Sequence, residues 1–114
     1  MVSEDDLFAV LAHEARRRLL VLCAAFGELC VCELYFSLGL PQAVVSRHLA
    51  VARDARLVVA RRQGTWMYYR LHPDLPKWVM TVLAGLEAGP SRAIFLADAA
   101  RLKAMPDRPV PCCP

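Results

Sequence analysis

Residues 41–71 read PQAVVSRHLAVARDARLVVARRQGTWMYYRL. Two periodicities meet in this stretch. In the first half Val44, Val45, Leu49 and Ala52 recur at helical spacing, which predicts a helix with those residues inward and Gln42, Ser46, Arg47, His48 and Arg53 available outside. Pro41 suits the first turn, where a missing N–H costs nothing. From Leu57 the period shortens. LVVARR and TWMYYRL are rich in Val, Trp and Tyr and flank Gln63-Gly64, the pattern of a β-hairpin with glycine at its tip.

Upstream, GELCVCELYFSLG predicts a short helix over about 30–38 that stops at Gly39. A helix, a tight glycine-containing turn and a second helix make a helix-turn-helix. Followed at once by a basic hairpin, the unit reads as a winged helix. Further upstream, Leu7, Val10, Leu11, Leu19, Leu20, Cys23 and Phe26 predict helices over roughly 4–13 and 14–26, with Gly27 as the stop. Downstream, residues 76–88 and 91–104 predict two more, each strongly apolar on one side. The expected fold is therefore mainly α with a small β-hairpin. A domain over 1–105 is followed by a Pro- and Cys-rich C-terminal arm over 106–114; the last ten residues of the sequence, MPDRPVPCCP, hold four prolines.

At 114 residues and 57% hydrophobic content the chain has room for one core and carries more apolar surface than one small domain can bury. We expect the terminal helices to pack against a twin subunit, giving a homodimer. The start MVSEDDLF is acidic and no apolar run is long enough for a membrane span, so the expectation is a cytoplasmic protein without a membrane partner. In a reducing compartment five cysteines point to metal binding, redox sensing or core packing rather than a disulfide framework. Cys23, in step with Leu19, Leu20 and Phe26, reads as a buried structural thiol.

The formal charge of +3 is unevenly spread: six arginines between Arg47 and Arg70 face the single acid Asp54, a local +5. That is the electrostatic footprint expected of nucleic-acid binding, a solvated basic face without a partner being the alternative; the partner expected here is double-stranded operator DNA. On the first helix of the opening stretch, Gln42 suits an adenine and Arg47 a guanine or a phosphate, with Ser46 beside them. His48 suits either the groove or packing beneath the helix. Arg61 and Arg62 should approach phosphates or the minor groove from the wing. Trp66, Tyr68 and Tyr69 are expected on the hairpin's packed face. Nothing resembles a nucleotide loop, a paired-carboxylate cleft or a Cys-His constellation, so no enzyme is expected.

Taken together, ELCVCEL, VVSRHLAVARDARLV and RRQGTWMYYRL resemble the ArsR/SmtB family of metalloregulatory winged-helix repressors, most of all the arsenic-responsive ones. The likeness runs from about Leu7 to Trp78. It implies a homodimer bound to an operator, released when a thiophilic inducer, As(III) or Sb(III), binds Cys30 and Cys32, with no cofactor required. The pattern departs from close arsenic-responsive relatives at Tyr35, where they often carry a third cysteine. Cys112 and Cys113, adjacent in the arm, are candidate further ligands. A Cd(II)/Pb(II)-responsive repressor of the same family and a thiol-redox switch are the alternatives.

On the helix expected over about 30–38, about 100° per residue turns the sulfurs of Cys30 and Cys32 about 200° apart, so both cannot reach one ion while the helix is regular. Capture of one soft ion by both must therefore unwind or kink this helix locally.

Overall fold

The structure, a computed structural model, describes residues 2–108. Six helices and three short strands follow in the order α1 (Glu4–Leu11), α2 (Glu14–Phe26), β1 (Leu29–Cys30), α3 (Val31–Leu38), α4 (Gln42–Asp54), β2 (Val58–Gln63), β3 (Trp66–Leu71), α5 (Lys77–Ala88) and α6 (Arg92–Lys103). The elements expected from the sequence are all present. The chief addition is β1, which turns the hairpin into a three-stranded antiparallel sheet of order β1-β3-β2.

Local chemistry sets the boundaries. The Ser3 hydroxyl accepts the Asp6 N–H at 3.0 Å, and Glu4, Asp5 and Asp6 place negative charge at the N-terminal end of α1. The run Arg16-Arg17-Arg18 completes the turn between α1 and α2. Arg16 donates to the Val10 and Ala9 carbonyls and Arg17 to that of Leu11, so the open end of α1 is capped from the next helix. Gly39, at φ +66°, ends α3 in the left-handed conformation glycine adopts without strain, and the Leu40 N–H returns to the Tyr35 carbonyl. Gly64, at φ +61°, occupies the first of the two turn residues between β2 and β3.

The core gathers around α2, whose Leu19, Leu20 and Leu22 are fully buried, together with Leu7, Leu29, Leu34, Val45, Leu49, Leu57, Leu83 and Leu102 from every other helix and the sheet's edge. Cys23 is buried there as expected, and burial pushes its thiol up to about 12. Val45, Leu49 and Ala52 hold α4 against this core, while Val44 is only half-buried. The element order and the basic hairpin after α4 make the fold a winged helix-turn-helix. Among the described residues no single helix is long and apolar enough to cross a membrane; α5 and α6 meet at a bend of 88°.

Candidate metal centre and nucleic-acid interface

Cys30 stands at the junction of strand and helix. It pairs with Tyr68 across the β1–β3 ladder, has extended dihedrals (φ −70°, ψ 151°), and serves as the N-cap of α3, which begins only at Val31. Cys32 is the second residue of that helix. The two thiols therefore leave backbones of different conformation, and their sulfurs converge: the Cys32 thiol donates to the Cys30 sulfur at 3.0 Å. This corrects the expectation of opposed sulfurs. The 200° separation holds only for two residues within one regular helix, and Cys30 is outside it.

The pair is buried, Cys30 completely and Cys32 with 7% exposure, among Tyr68, Val31, Tyr35 and Met105. Burial and the hydrogen bond to Cys30 push the Cys32 thiol up to about 12, so it carries its proton in the free protein. Beside it, the Glu33 carboxylate is 2% exposed. One of its oxygens accepts the Cys30 N–H at 2.8 Å, the carboxylate half of a capping box, and the other accepts from Arg108. Two sulfurs bonded at about 2.3 Å to one soft ion stand a little under 4 Å apart, so these thiols fit such an ion after parting by less than about an ångström. Among the described residues no group of three His, Cys, Asp or Glu is placed to hold a metal ion. Cys112 and Cys113 lie outside the described residues.

The far end of α3 is held as firmly as the near end. Asp98 of α6, 1% exposed, accepts from Arg18 at 2.9 and 2.8 Å and from Arg101 at 2.5 Å. The same two guanidinium groups donate to the Leu38 and Ser37 carbonyls at 2.9 and 2.7 Å. Orphan carbonyls at the end of α3 are thus satisfied by two cations that share one buried anion. Neither Asp98 nor Glu33 was marked by the sequence. A charged residue in step with the apolar face of a helix was the available signal in both cases.

On the opposite surface, α4 presents the residues expected to face a duplex. Gln42 and Arg47 are exposed and Ser46 is partly so. His48 is half-buried, its ring 4.3 Å from that of His13, which caps α2 by accepting the Ala15 N–H. The contact with His13 gives His48 a packing partner within the protein. Desolvation first, then His13, Arg16 and Arg47, depress its basicity. On the wing the two arginines part. Arg62 is exposed, whereas Arg61 lies over the Tyr68 ring and pairs bidentately with Glu28 at 3.0 and 2.5 Å, holding that carboxyl below its ordinary range. Arg61 is thus paired within the protein. Tyr68 and Tyr69 are buried as expected; Trp66 is 47% exposed instead, because it pairs with Gln63 beside the two-residue turn, at the opposite end of the ladder from Val58 and Leu71.

Residues 13–59 match the family profile described as "Bacterial regulatory protein, arsR family". The arsenic resistance transcriptional regulator ArsR2 of Pseudomonas putida is 47% identical over 111 residues, covering 96% of this chain and 95% of that protein. The chain belongs to the arsR family. Solved structures agree with this placement. The AntR antimony-specific transcriptional repressor superposes with a TM-score of 0.60 at 32% identity, covering 82% of this arsR-family chain and 76% of its own. The homodimeric winged helix-turn-helix DNA-binding domain Mb0332 of Mycobacterium bovis gives 0.61 at 28% identity, with 74% of each chain covered.

Proposed function

We propose that this arsR-family protein is a cytoplasmic metalloid-responsive repressor that holds operator DNA as a homodimer and leaves it when As(III) or Sb(III) binds Cys30 and Cys32. The observation that carries the reading is the buried pair of convergent thiols at the foot of α3. Trivalent arsenic and antimony prefer thiolate sulfur, and two of the proteins named above are an arsenic resistance transcriptional regulator and an antimony-specific transcriptional repressor. With arsenous acid the step balances: two S–As bonds form, two As–O bonds break, and each thiol proton leaves in a water molecule.

Coupling to DNA follows from connectivity. α3 runs through Gly39-Leu40-Pro41 directly into α4, whose exposed Gln42 and Arg47 and adjoining Ser46 and His48 would meet base edges and phosphates in a major groove. Widening the sulfur pair displaces the start of α3, and α4 moves with it. Arg62 supplies a phosphate contact from the wing, and Arg61 steadies the wing through Glu28. Linkage makes the effect mutual, so a hundredfold loss of operator affinity needs about 2.7 kcal/mol of differential binding. The twin subunit would cover the exposed Phe8 of α1, Trp78 and Met80 of α5, and Ile94 and Leu96 of α6.

A trivalent metalloid takes three donors, and the described residues supply two at the site. We propose that Cys112 or Cys113 adds the third. The chain from Arg108, held at Glu33, to Cys112 spans up to about 14 Å when extended, enough to return to the sulfurs.

The deciding experiment titrates the protein–operator complex with As(III), Sb(III) and Cd(II), repeated on Cys30→Ser/Cys32→Ser and on Cys112→Ser/Cys113→Ser. Release by the metalloids, abolished in the first double variant and weakened in the second, supports the reading. Release of the first double variant at wild-type concentrations would sink it. Selective release by Cd(II) would favour a divalent-ion sensor instead, and an unaltered response of the second variant would remove the arm from the site.

A further inference from the structure

The described segment after α6 ends on the thiol site, and the manner of its docking assigns a role to two residues. Met105 packs against the cluster of Cys30, Cys32 and Tyr68, and Arg108 donates to the Glu33 carboxylate. Between them Asp107 adopts φ +53°, turning the chain back toward α3. The segment therefore touches the site twice, once through an apolar side chain beside the sulfurs and once through an ion pair.

A carboxylate as deeply buried as Glu33 is costly unless both oxygens are satisfied. Here one oxygen goes to the Cys30 N–H and the other to Arg108. The first bond keeps Cys30 in the extended N-cap conformation, and that conformation brings its sulfur to Cys32. Without the carboxylate the Cys30 N–H loses its acceptor, and the end of α3 is free to fray or to extend backward. Either change turns the sulfurs apart. The second bond fixes the carboxylate itself, because its rotamer is set by the guanidinium it faces.

We propose that Glu33 and Arg108 form a latch that holds the two thiols convergent before the inducer arrives: Glu33 is the positioning residue for the pair, and Arg108 ties that position to the segment following α6. The latch rests on the reading of Cys30 and Cys32 as the inducer site, and it adds a route by which the C-terminal segment sets inducer affinity without itself touching the ligand. Asp98 strengthens the arrangement from behind. Through Arg18 and Arg101 it anchors α6 to the last carbonyls of α3, so the helix and the segment that follows it grip α3 at both ends.

The test uses a readout that does not depend on DNA or arsenic. In full-length protein carrying Cys112→Ser/Cys113→Ser, the equilibrium between the Cys30–Cys32 dithiol and its disulfide is measured against reduced and oxidised glutathione, with the pair identified by peptide mass. This constant reports how well the fold holds the sulfurs together, whatever their accessibility. Arg108→Ala and Glu33→Ala should each lower it by about tenfold, the loss of one charge-assisted hydrogen bond, and Arg108→Lys should recover most of it. Circular dichroism establishes that each variant is folded; Arg108→Ala, at a partly exposed position, decides the matter should Glu33→Ala fail to fold. A folded Arg108→Ala protein with the wild-type constant overturns the latch. As(III) titration of the same proteins then separates the two ideas. An altered constant with no As(III) response in the protein that retains Cys112 and Cys113 keeps the latch and removes the inducer reading.

Discussion

The Cys32 thiol stands 3.0 Å from the Cys30 sulfur although one residue separates them, because Cys30 caps the helix that Cys32 has already entered. The pair is therefore close to the spacing a bound metalloid requires, and α3 need not unwind to supply it. As(III) binding should change far-UV ellipticity by less than the loss of about one helical turn, 3.6 residues. Circular dichroism of the protein with and without As(III) checks this. Loss of ellipticity equivalent to the eight residues of α3 would restore unwinding as the mechanism.

Asp98 is the shared anion of two guanidinium groups that cap α3. Asp98→Ala leaves the partly buried Arg18 without its counter-charge and should destabilise the fold by about 3–5 kcal/mol. Urea denaturation of the variant should give a midpoint well below the parent's. A shift too small to resolve would mean that the network contributes little.

The His13–His48 contact makes stability depend on pH. Burial, followed by the charges of His13, Arg16 and Arg47, depresses the folded-state basicity of His48 below its ordinary value of 6.5. The unfolded chain then binds the proton more readily, so the contribution is fully present above about pH 6.5 and is lost as pH falls through the lower folded value. Thermal melts from pH 7.5 to 5 should show the parent losing stability more steeply than His48→Gln. Parallel curves would remove His48 from the effect.

The two wing arginines should separate in salt titrations. Arg62→Ala removes one phosphate contact per subunit, two in the dimer, and should flatten the slope of log affinity against log salt by about 1.8. Arg61, paired with Glu28, should leave that slope nearly unaltered when replaced by Ala. Operator binding measured across a range of salt concentrations distinguishes them, and equal slopes for both variants would contradict the division of roles.

Ile94 and Leu96 lie exposed on α6, as Trp78 and Met80 do on α5. If a second copy covers them, Leu96→Glu buries an unpaired charge at the interface and should dissociate the dimer, lowering operator affinity at the same time. Sedimentation velocity at micromolar concentration gives the answer directly. A variant that sediments as the parent does places the interface elsewhere.

The helices, the hairpin and the buried faces of α2 and α4 were legible in the chain because they follow from near neighbours: apolar spacing, glycine at φ +66° and φ +61°, and a change of period at Leu57. The same is true of the thiol pair as a candidate, since CVC is a local pattern. Its geometry was not legible. Cys30 is held outside α3 by pairing with Tyr68, thirty-eight residues on, and by Glu33, whose burial depends on Arg108, seventy-five residues on. Asp98 draws Arg18 from eighty residues away, and Glu28 draws Arg61 off the wing. Spacing along a chain fixes which way a side chain points within one element; only the packing of separate elements brings distant charges to one place and decides where a helix may begin.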